Sequence, residues 1–313
     1  MLSRTADSLY WLARYVERAD FLARILEAAM RMASLPAGDG AAGAEWDSAI
    51  AISDQREAFV AAYGAADEQS VRRFLAFDHA NPSSIRNCLG AARNNARAVR
   101  TALTSEVWES VNDAWNQFNA LDEKGMDMQA FARFIEWTKS VARAFDGAVH
   151  RTQLRNDGHA FLRLGAAVER ADNTARILDV KYHMLLPASE PVGGGLDYFQ
   201  WSTILREVSA LTAYRWVYRE SIKPWLVADL LILNRQMPRS LASCSADIAG
   251  QLDQLGQAYG RRGPAQRAAT ATLGKLTSLR IEQIFQSGLH EFVEAFIDEN
   301  ARLSNAIAEQ YLL

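Results

Sequence analysis

The chain is poor in the residues that build specialised chemistry. It has 2 cysteines in 313 residues, Cys88 and Cys244. That is too few for a disulfide framework or a cysteine zinc site, and a reducing cytoplasm is the expected setting. Its 5 histidines are His79, His150, His159, His183 and His290. None has the H-x-x-x-H spacing that puts two metal ligands on one helix face. No Gly-x-Ser-x-Gly elbow occurs, so no nucleophile can be nominated. The glycine run in "PVGGGLDYFQW" lacks a Walker Lys-Ser/Thr and reads as a loop before a helix capped by Asp197.

Long apolar runs are also missing. Nothing approaches the roughly 18 residues that mark a membrane span. The first residues, "MLSRTADSLYWLARYVERAD", carry charge at every turn, which does not suit a signal-peptide core. Charged residues make up 23% of the chain and the net charge is −3, without the basic excess of a nucleic-acid binder. Neither a membrane nor a nucleic acid is an expected partner. Only 7 prolines occur, mostly at breaks, and strand-type alternation is nearly absent. With Ala, Leu, Arg and Glu dominating the long segments, the expected fold is all-α.

What the chain does have is repetition. Val16 to Leu26 reads "VERADFLARIL", and Val168 to Leu178 reads "VERADNTARIL". Leu9, Leu12, Val16, Ala19, Ala23 and Leu26 step by three and four, which predicts a helix over about 3–33 with one apolar stripe and Ser3 as its cap. Phe161, Leu164, Val168, Ala171, Ala175 and Leu178 reproduce that stripe. Leu35-Pro36 and Leu186-Pro187 close the two helices. Trp201 stands where Trp46 stood, Ala213-Tyr214 where Ala58-Phe59 stood, and Tyr218 where Tyr63 stood. "PSSIRNC" from Pro82 matches "PRSLASC" from Pro238, and the offset drifts only from 152 to 156. An ordered series at nearly fixed spacing points to a tandem duplication. The expected architecture is a helical bundle of two pseudo-symmetric repeats, 1–152 and 153–313, packed as one body. Further helices are expected over about 46–63, 67–77, 82–103 with Pro82 in its first turn, 105–118 and 127–150.

Within the repeated helix the charges are ordered. Glu17, Asp20 and Arg24 fall at i, i+3 and i+7, on one face at the edge of the apolar stripe, and Glu27 extends the column. Glu169, Asp172, Arg176 and Asp179 repeat it, with Arg18 and Arg170 one step further round. Three readings stay open. The columns form ion pairs, within each helix or between the two. They converge as a carboxylate metal centre, although histidine is missing from the motif and each acid pair has an arginine beside it. Or they line a pocket whose Arg and acid groups hold a zwitterionic or peptidic ligand.

A second feature is confined to one half. Arg86, Arg93, Arg97 and Arg100 share a helix face, where the equivalent helix has Ala249, Asp253 and Gly256. A solvated face and an anion-binding face both fit. In "TSEVWES", Thr104 or Ser105 suits a helix cap and Trp108 an anchor, with Glu106 a candidate for a pocket wall.

The segments "MLSRTADSLYWLARYVERAD", "NPSSIRNCLGAARNNARAVRTALTSEVWE", "FLRLGAAVERADNTARILDVKYHMLLP" and "GGGLDYFQWSTILR" resemble the bacterial alpha-E family, in order and over nearly the whole chain. The resemblance implies an all-helical protein without an established activity. It also implies a partner resembling a circularly permuted ATP-grasp ligase, often with transglutaminase-like proteins nearby, and thus a peptide or amide-bond-forming system. The family's recurrent polar positions match Glu17, Arg18, Arg24, Arg93, Asn95, Arg97, Glu106 and Trp108 in the first half. In the second they match Glu169, Arg170, Asp172, Arg176, Asp197 and Trp201. Asp20 stands where the family often has Glu, Asn94 where "RENAR" has Glu, and Ala166 where an Arg is frequent. His159 is also atypical. The expected role is an accessory protein that holds the ligase or its amino-acid or peptide substrate, with no cofactor and no catalysis of its own. The alternatives are an enzyme using the repeated Glu-x-x-Asp helices for a metal or for acid/base work, and a purely structural scaffold.

Overall fold

The computed structural model describes residues 1–34, 43–123, 125–183 and 194–312. Among them the fold is helical, with no strand. The first half holds α1 (Ser3–Ala33), α2 (Ala44–Ile52), α3 (Arg56–Tyr63), α4 (Glu68–Ala76), α5 (Ile85–Ala98), α6 (Ser105–Asn119) and α7 (Met128–Thr152). The second holds α8 (Asp157–His183), α9 (Gly195–Glu207), α10 (Leu211–Tyr218), α11 (Pro224–Ile232), α12 (Leu241–Ala258), α13 (Pro264–Ser278), α14 (Ile281–Ser287) and α15 (Leu289–Ile307). A 3-10 turn (Arg100–Ala102) follows α5 and a π-helical turn (Ala308–Leu312) follows α15.

The two long helices with the repeated sequence, α1 and α8, pack on each other at the centre. Around them, α5 and α7 lie against α1, while α12 and α15 lie against α8. At one point α1 and α8 come very close. A Cβ on Gly165 of α8 would overlap the carbonyl oxygen and backbone of Tyr10 in α1, so only glycine permits that approach.

Local devices recur between the halves. Ser84 caps α5 by accepting from Asn87 N (3.3 Å) and donates to Asp78 O; Ser240 caps α12 by accepting from Ser243 N (3.0 Å) and donates to Asn234 O. The Tyr63 hydroxyl donates to Asp78, and the Tyr218 hydroxyl to Asp229. Trp46 and Trp201 are both buried, as are Phe59 and Tyr214.

Several expected boundaries differ. Leu2 holds the cap position of α1 and Ser3 lies inside the helix. Pro82 precedes the Ser84 cap, so it sits in the loop and not in the first turn of α5. The single helix expected over 46–63 is two, α2 and α3. Asp54 between them takes a left-handed conformation (φ 57°), which ends a helix as a glycine would. Gly194 takes the cap position of α9, with Asp197 inside the helix. Leu35, Pro36, Leu186 and Pro187 lie outside the described residues.

The core is divided. One apolar cluster contains Ala19, Leu22 and Leu26 of α1 and Ala171, Ala175 and Leu178 of α8. A second contains Leu9, Leu12 and Val16 of α1 and Phe161, Leu164 and Val168 of α8. Each cluster draws on both halves of the chain. The border falls between Val16 and Ala19 in α1 and between Val168 and Ala171 in α8. The residues left between are Glu17-Arg18 and Glu169-Arg170.

Candidate functional site: a buried Glu-Arg layer

The two glutamates and the two arginines are exchanged between the central helices. Arg18 of α1 donates from Nε to Glu169 Oε1 (2.6 Å) and from Nη2 to Oε2 (3.1 Å). Arg170 of α8 donates from Nε to Glu17 Oε1 (3.1 Å) and from Nη2 to Oε2 (2.7 Å). Both are two-point contacts, the geometry that planar guanidinium and carboxylate groups favour. Each glutamate also receives a second arginine. Arg14 Nε donates to Glu169 Oε2 at 2.7 Å, and Arg239 Nη1 donates to Glu17 Oε1 at 2.7 Å.

These second arginines are not repeats of each other. Residue 166, which matches Arg14 in the repeat, is Ala, and residue 83, which matches Arg239, is Ser. One helix supplies its extra guanidinium from its own preceding turn, the other from the turn before α12. Sequence reasoning missed both, because helical periodicity does not reveal which residue of another element reaches across.

The layer is closed. Glu17 and Glu169 are 6% and 3% exposed. Burial by itself would push the Glu17 carboxyl up, but the guanidiniums of Arg170 and Arg239 together hold it well below the usual carboxylate range. Burial likewise opposes ionisation of Glu169, and Arg14 and Arg18 overcome it. Both carboxylates are therefore charged and neutralised by their partners.

The layer extends along α1. Arg239 Nη2 donates to Asp20 Oδ2 (2.8 Å), which also accepts from Arg24 Nε (2.7 Å). Arg24 continues to the backbone oxygen of Glu207 (2.7 Å) and to Ser209 Oγ (2.9 Å). In α8, Asp172 accepts from Arg176 Nε (2.7 Å), and Arg176 also pairs with Asp54 (3.2 Å). Thus Glu17, Asp20, Arg24 and Arg170 are linked through Arg239, Glu169 and Arg18 form a second group with Arg14, and the outer ends of the columns turn to other partners. Glu27 pairs with Arg31 and Lys139, and Asp179 with His290.

Of the first-half residues matched by resemblance, Glu17, Arg18 and Arg24 belong to these ion pairs, and Arg93, Asn95, Arg97 and Glu106 do not. Arg93 donates to Asn112 (3.0 Å), Asn95 is half-buried, and Arg97 and Glu106 are exposed. The arginine face of α5 is largely engaged. Arg86 pairs with Glu123 and donates to Phe77 O, and Arg100 lies over the Trp108 ring. Thr104, as expected, caps α6. Among the described residues no three His, Cys, Asp or Glu side chains gather as a metal site. The four carboxylates of the two Glu-x-x-Asp motifs, Glu17, Asp20, Glu169 and Asp172, meet arginines instead of one another.

Cys88 and Cys244 are buried beside the layer, and burial pushes both thiols up to about 12. A further residue carries an unexpected state. Glu207, at the end of α9, is buried and its Oε2 has no hydrogen-bond partner among the described residues. Burial, reinforced by Glu27, holds its carboxyl well above the usual range, which favours its neutral form. It borders a cavity of about 20 Å³ with Met32, Glu45 and Thr203, room for one water-sized molecule. Nothing in "ILREVS" marks this glutamate in the sequence. A larger cleft, about 450 Å³, is lined by Leu121, Met126, Phe134 and Trp137, away from the layer.

The fold and the layer together define an all-helical protein whose central helices are joined through a twice-used Glu-Arg dipeptide. A family model described as a predicted alpha-helical domain with a conserved ER motif matches residues 1–312. The chain belongs to this family, Alpha-E, and its only Glu-Arg dipeptides are 17–18 and 169–170. No curated protein and no solved structure matches it. Among the described residues no helix is long and apolar enough to cross a membrane.

Proposed function

We propose that this chain is an accessory helical protein of an ATP-grasp-linked peptide or amide-bond-forming system, which holds the ligase or its amino-acid or peptide substrate. The partner class comes from the family resemblance. The observation that carries the non-catalytic part is the closed exchange of Arg18 with Glu169 and of Arg170 with Glu17. A carboxylate gripped by two guanidiniums is a poor general base and has no free oxygen for a metal. In this reading the two tandem repeats, 1–152 and 153–313, pack about a pseudo-twofold axis through the layer. The family's Glu-Arg motif serves as the lock between them, and the ligand or ligase is met elsewhere on the surface.

The test is co-purification of the chain with the neighbouring ATP-grasp protein, and ligation rate with and without it. A complex and a changed rate are expected. No complex and no effect on rate would remove this reading. A stoichiometric metal in the purified protein, lost in Glu17→Gln with Glu169→Gln, would favour the enzyme alternative.

A further inference from the structure

Helices α3 and α10 are built alike. Each has eight residues, a buried aromatic (Phe59, Tyr214), and a tyrosine whose hydroxyl donates to an aspartate (Tyr63 to Asp78, Tyr218 to Asp229). Their inward faces do the same task. Their outward faces do not. Where α3 presents Val60, Ala61 and Ala62, α10 presents Arg215, Trp216 and Val217. Trp216 is 73% exposed, and Val217 is also exposed. A helix that only fills its place in the bundle needs no tryptophan facing water.

The exposed aromatics continue on both sides. Trp225, at the start of α11, is 48% exposed, with the Lys223 ammonium over its ring. Tyr198 of α9 is exposed as well. Tyr214 connects these elements: its hydroxyl donates to Ser221 O (2.8 Å) and accepts from Lys223 N (3.0 Å), and Tyr198 lies close enough to influence its ionisation. Large exposed aromatics held on a packed frame, with arginines among them, are the composition of interface centres.

The charge of this face is one-sided. Between Tyr198 and Trp225 the exposed bases are Arg206, Arg215 and Arg219, none of them in an ion pair among the described residues. The acids are few: Glu207 is buried, and Glu220 is paired with Lys223. The whole chain carries net −3, so this stretch of the chain is basic against an acidic background.

We propose that the α10–α11 face, centred on Trp216 and Trp225 and framed by Arg206, Arg215 and Arg219, docks an acidic protein surface with an apolar centre. This rests on the accessory reading, and the partner is the ligase-like protein. Carboxylates of the partner meet the unpaired guanidiniums, while the indoles supply the apolar contact.

The experiment compares the wild-type chain with Trp216→Ala/Trp225→Ala and with Arg215→Glu/Arg219→Glu, using binding to the purified ATP-grasp protein by calorimetry at two salt concentrations. Both variants are expected to weaken the complex more than tenfold. The charge-reversed one should also lose most of the salt dependence. Unchanged melting temperatures show that the fold is intact, since the four side chains are exposed. Wild-type binding that both variants retain overturns the docking face and leaves the accessory reading standing. A wild-type chain that binds no ATP-grasp protein overturns both. Wild-type co-sedimentation with phosphatidylserine vesicles, lost in the variants and with no protein complex, assigns the face to a lipid surface and overturns the proposal.

Discussion

Arg170 of α8 holds Glu17 of α1 through two hydrogen bonds of 3.1 and 2.7 Å, and the same dipeptide in α1 returns the contact to Glu169. The energetic weight of this exchange lies in breaking it. Paired and buried, the four groups gain little over a well-packed apolar set; with one partner removed, a charge is left in the interior.

Glu169→Ala is therefore expected to be severe. It leaves Arg14 and Arg18 facing each other without their shared carboxylate. A loss of about 3–5 kcal/mol is typical for one partner of a buried pair. Urea unfolding of the variant beside wild type measures it, and a loss under 1 kcal/mol would show that the layer is wetter than its exposure implies.

Acid should unlock the layer. Glu17 and Glu169 have folded-state values depressed below the usual carboxylate range. Their stabilisation is complete above the unfolded value, roughly pH 4.3, and is lost as pH falls through the folded values. The melting temperature should fall steeply below about pH 4, and less steeply in Glu17→Gln/Glu169→Gln, which starts lower.

Glu207 has the opposite sign. Its folded value is raised, so its contribution is fully present below the unfolded value and is lost as pH rises through the folded one. Glu207→Gln should match wild type near pH 4 and exceed it increasingly toward pH 8. Melting curves across that range test this. A constant difference between the two proteins would mean that the carboxyl does not titrate on unfolding.

Gly165→Ala should destabilise by about 1–3 kcal/mol, because the new methyl group meets the Tyr10 backbone and the central helices must part. Gly147→Ala in α7, where a Cβ meets open space, should instead stabilise by up to about 1 kcal/mol. Thermal denaturation of both variants distinguishes local crowding from a general effect of losing glycine.

The thiols of Cys88 and Cys244 should ignore a disulfide reagent at pH 8 in the native protein and react fully in denaturant, since burial raises both to about 12. Fast native labelling of either would place it outside the core.

The long central helices were legible because their apolar stripe runs unbroken for many turns and is stated twice. The charged column was legible as a position, at the stripe's edge. Its partners were not. Arg14 looks like one more charge on α1, and Arg239 comes from a loop whose counterpart is Ser83. Crossing contacts depend on how helices meet, which intrahelical spacing does not encode. The α2–α3 break was hidden for a different reason: Asp54 takes the backbone conformation that glycine signals, without being glycine. Pro82 misled because a proline outside a capped helix and one in its first turn leave similar sequence traces.

The division of the core by its Glu-Arg layer has a further consequence. Apolar helix faces slide over one another at small cost, so two stripes of Leu, Val and Ala would tolerate several crossings of α1 on α8. A displacement by one turn, about 5.4 Å, would carry Glu17 beyond Arg170 and Glu169 beyond Arg18 at once, stranding four charges among side chains such as Leu12 and Leu164. The layer thus works as an alignment mark. It adds little to how firmly the helices hold, and it makes every other way of holding them expensive.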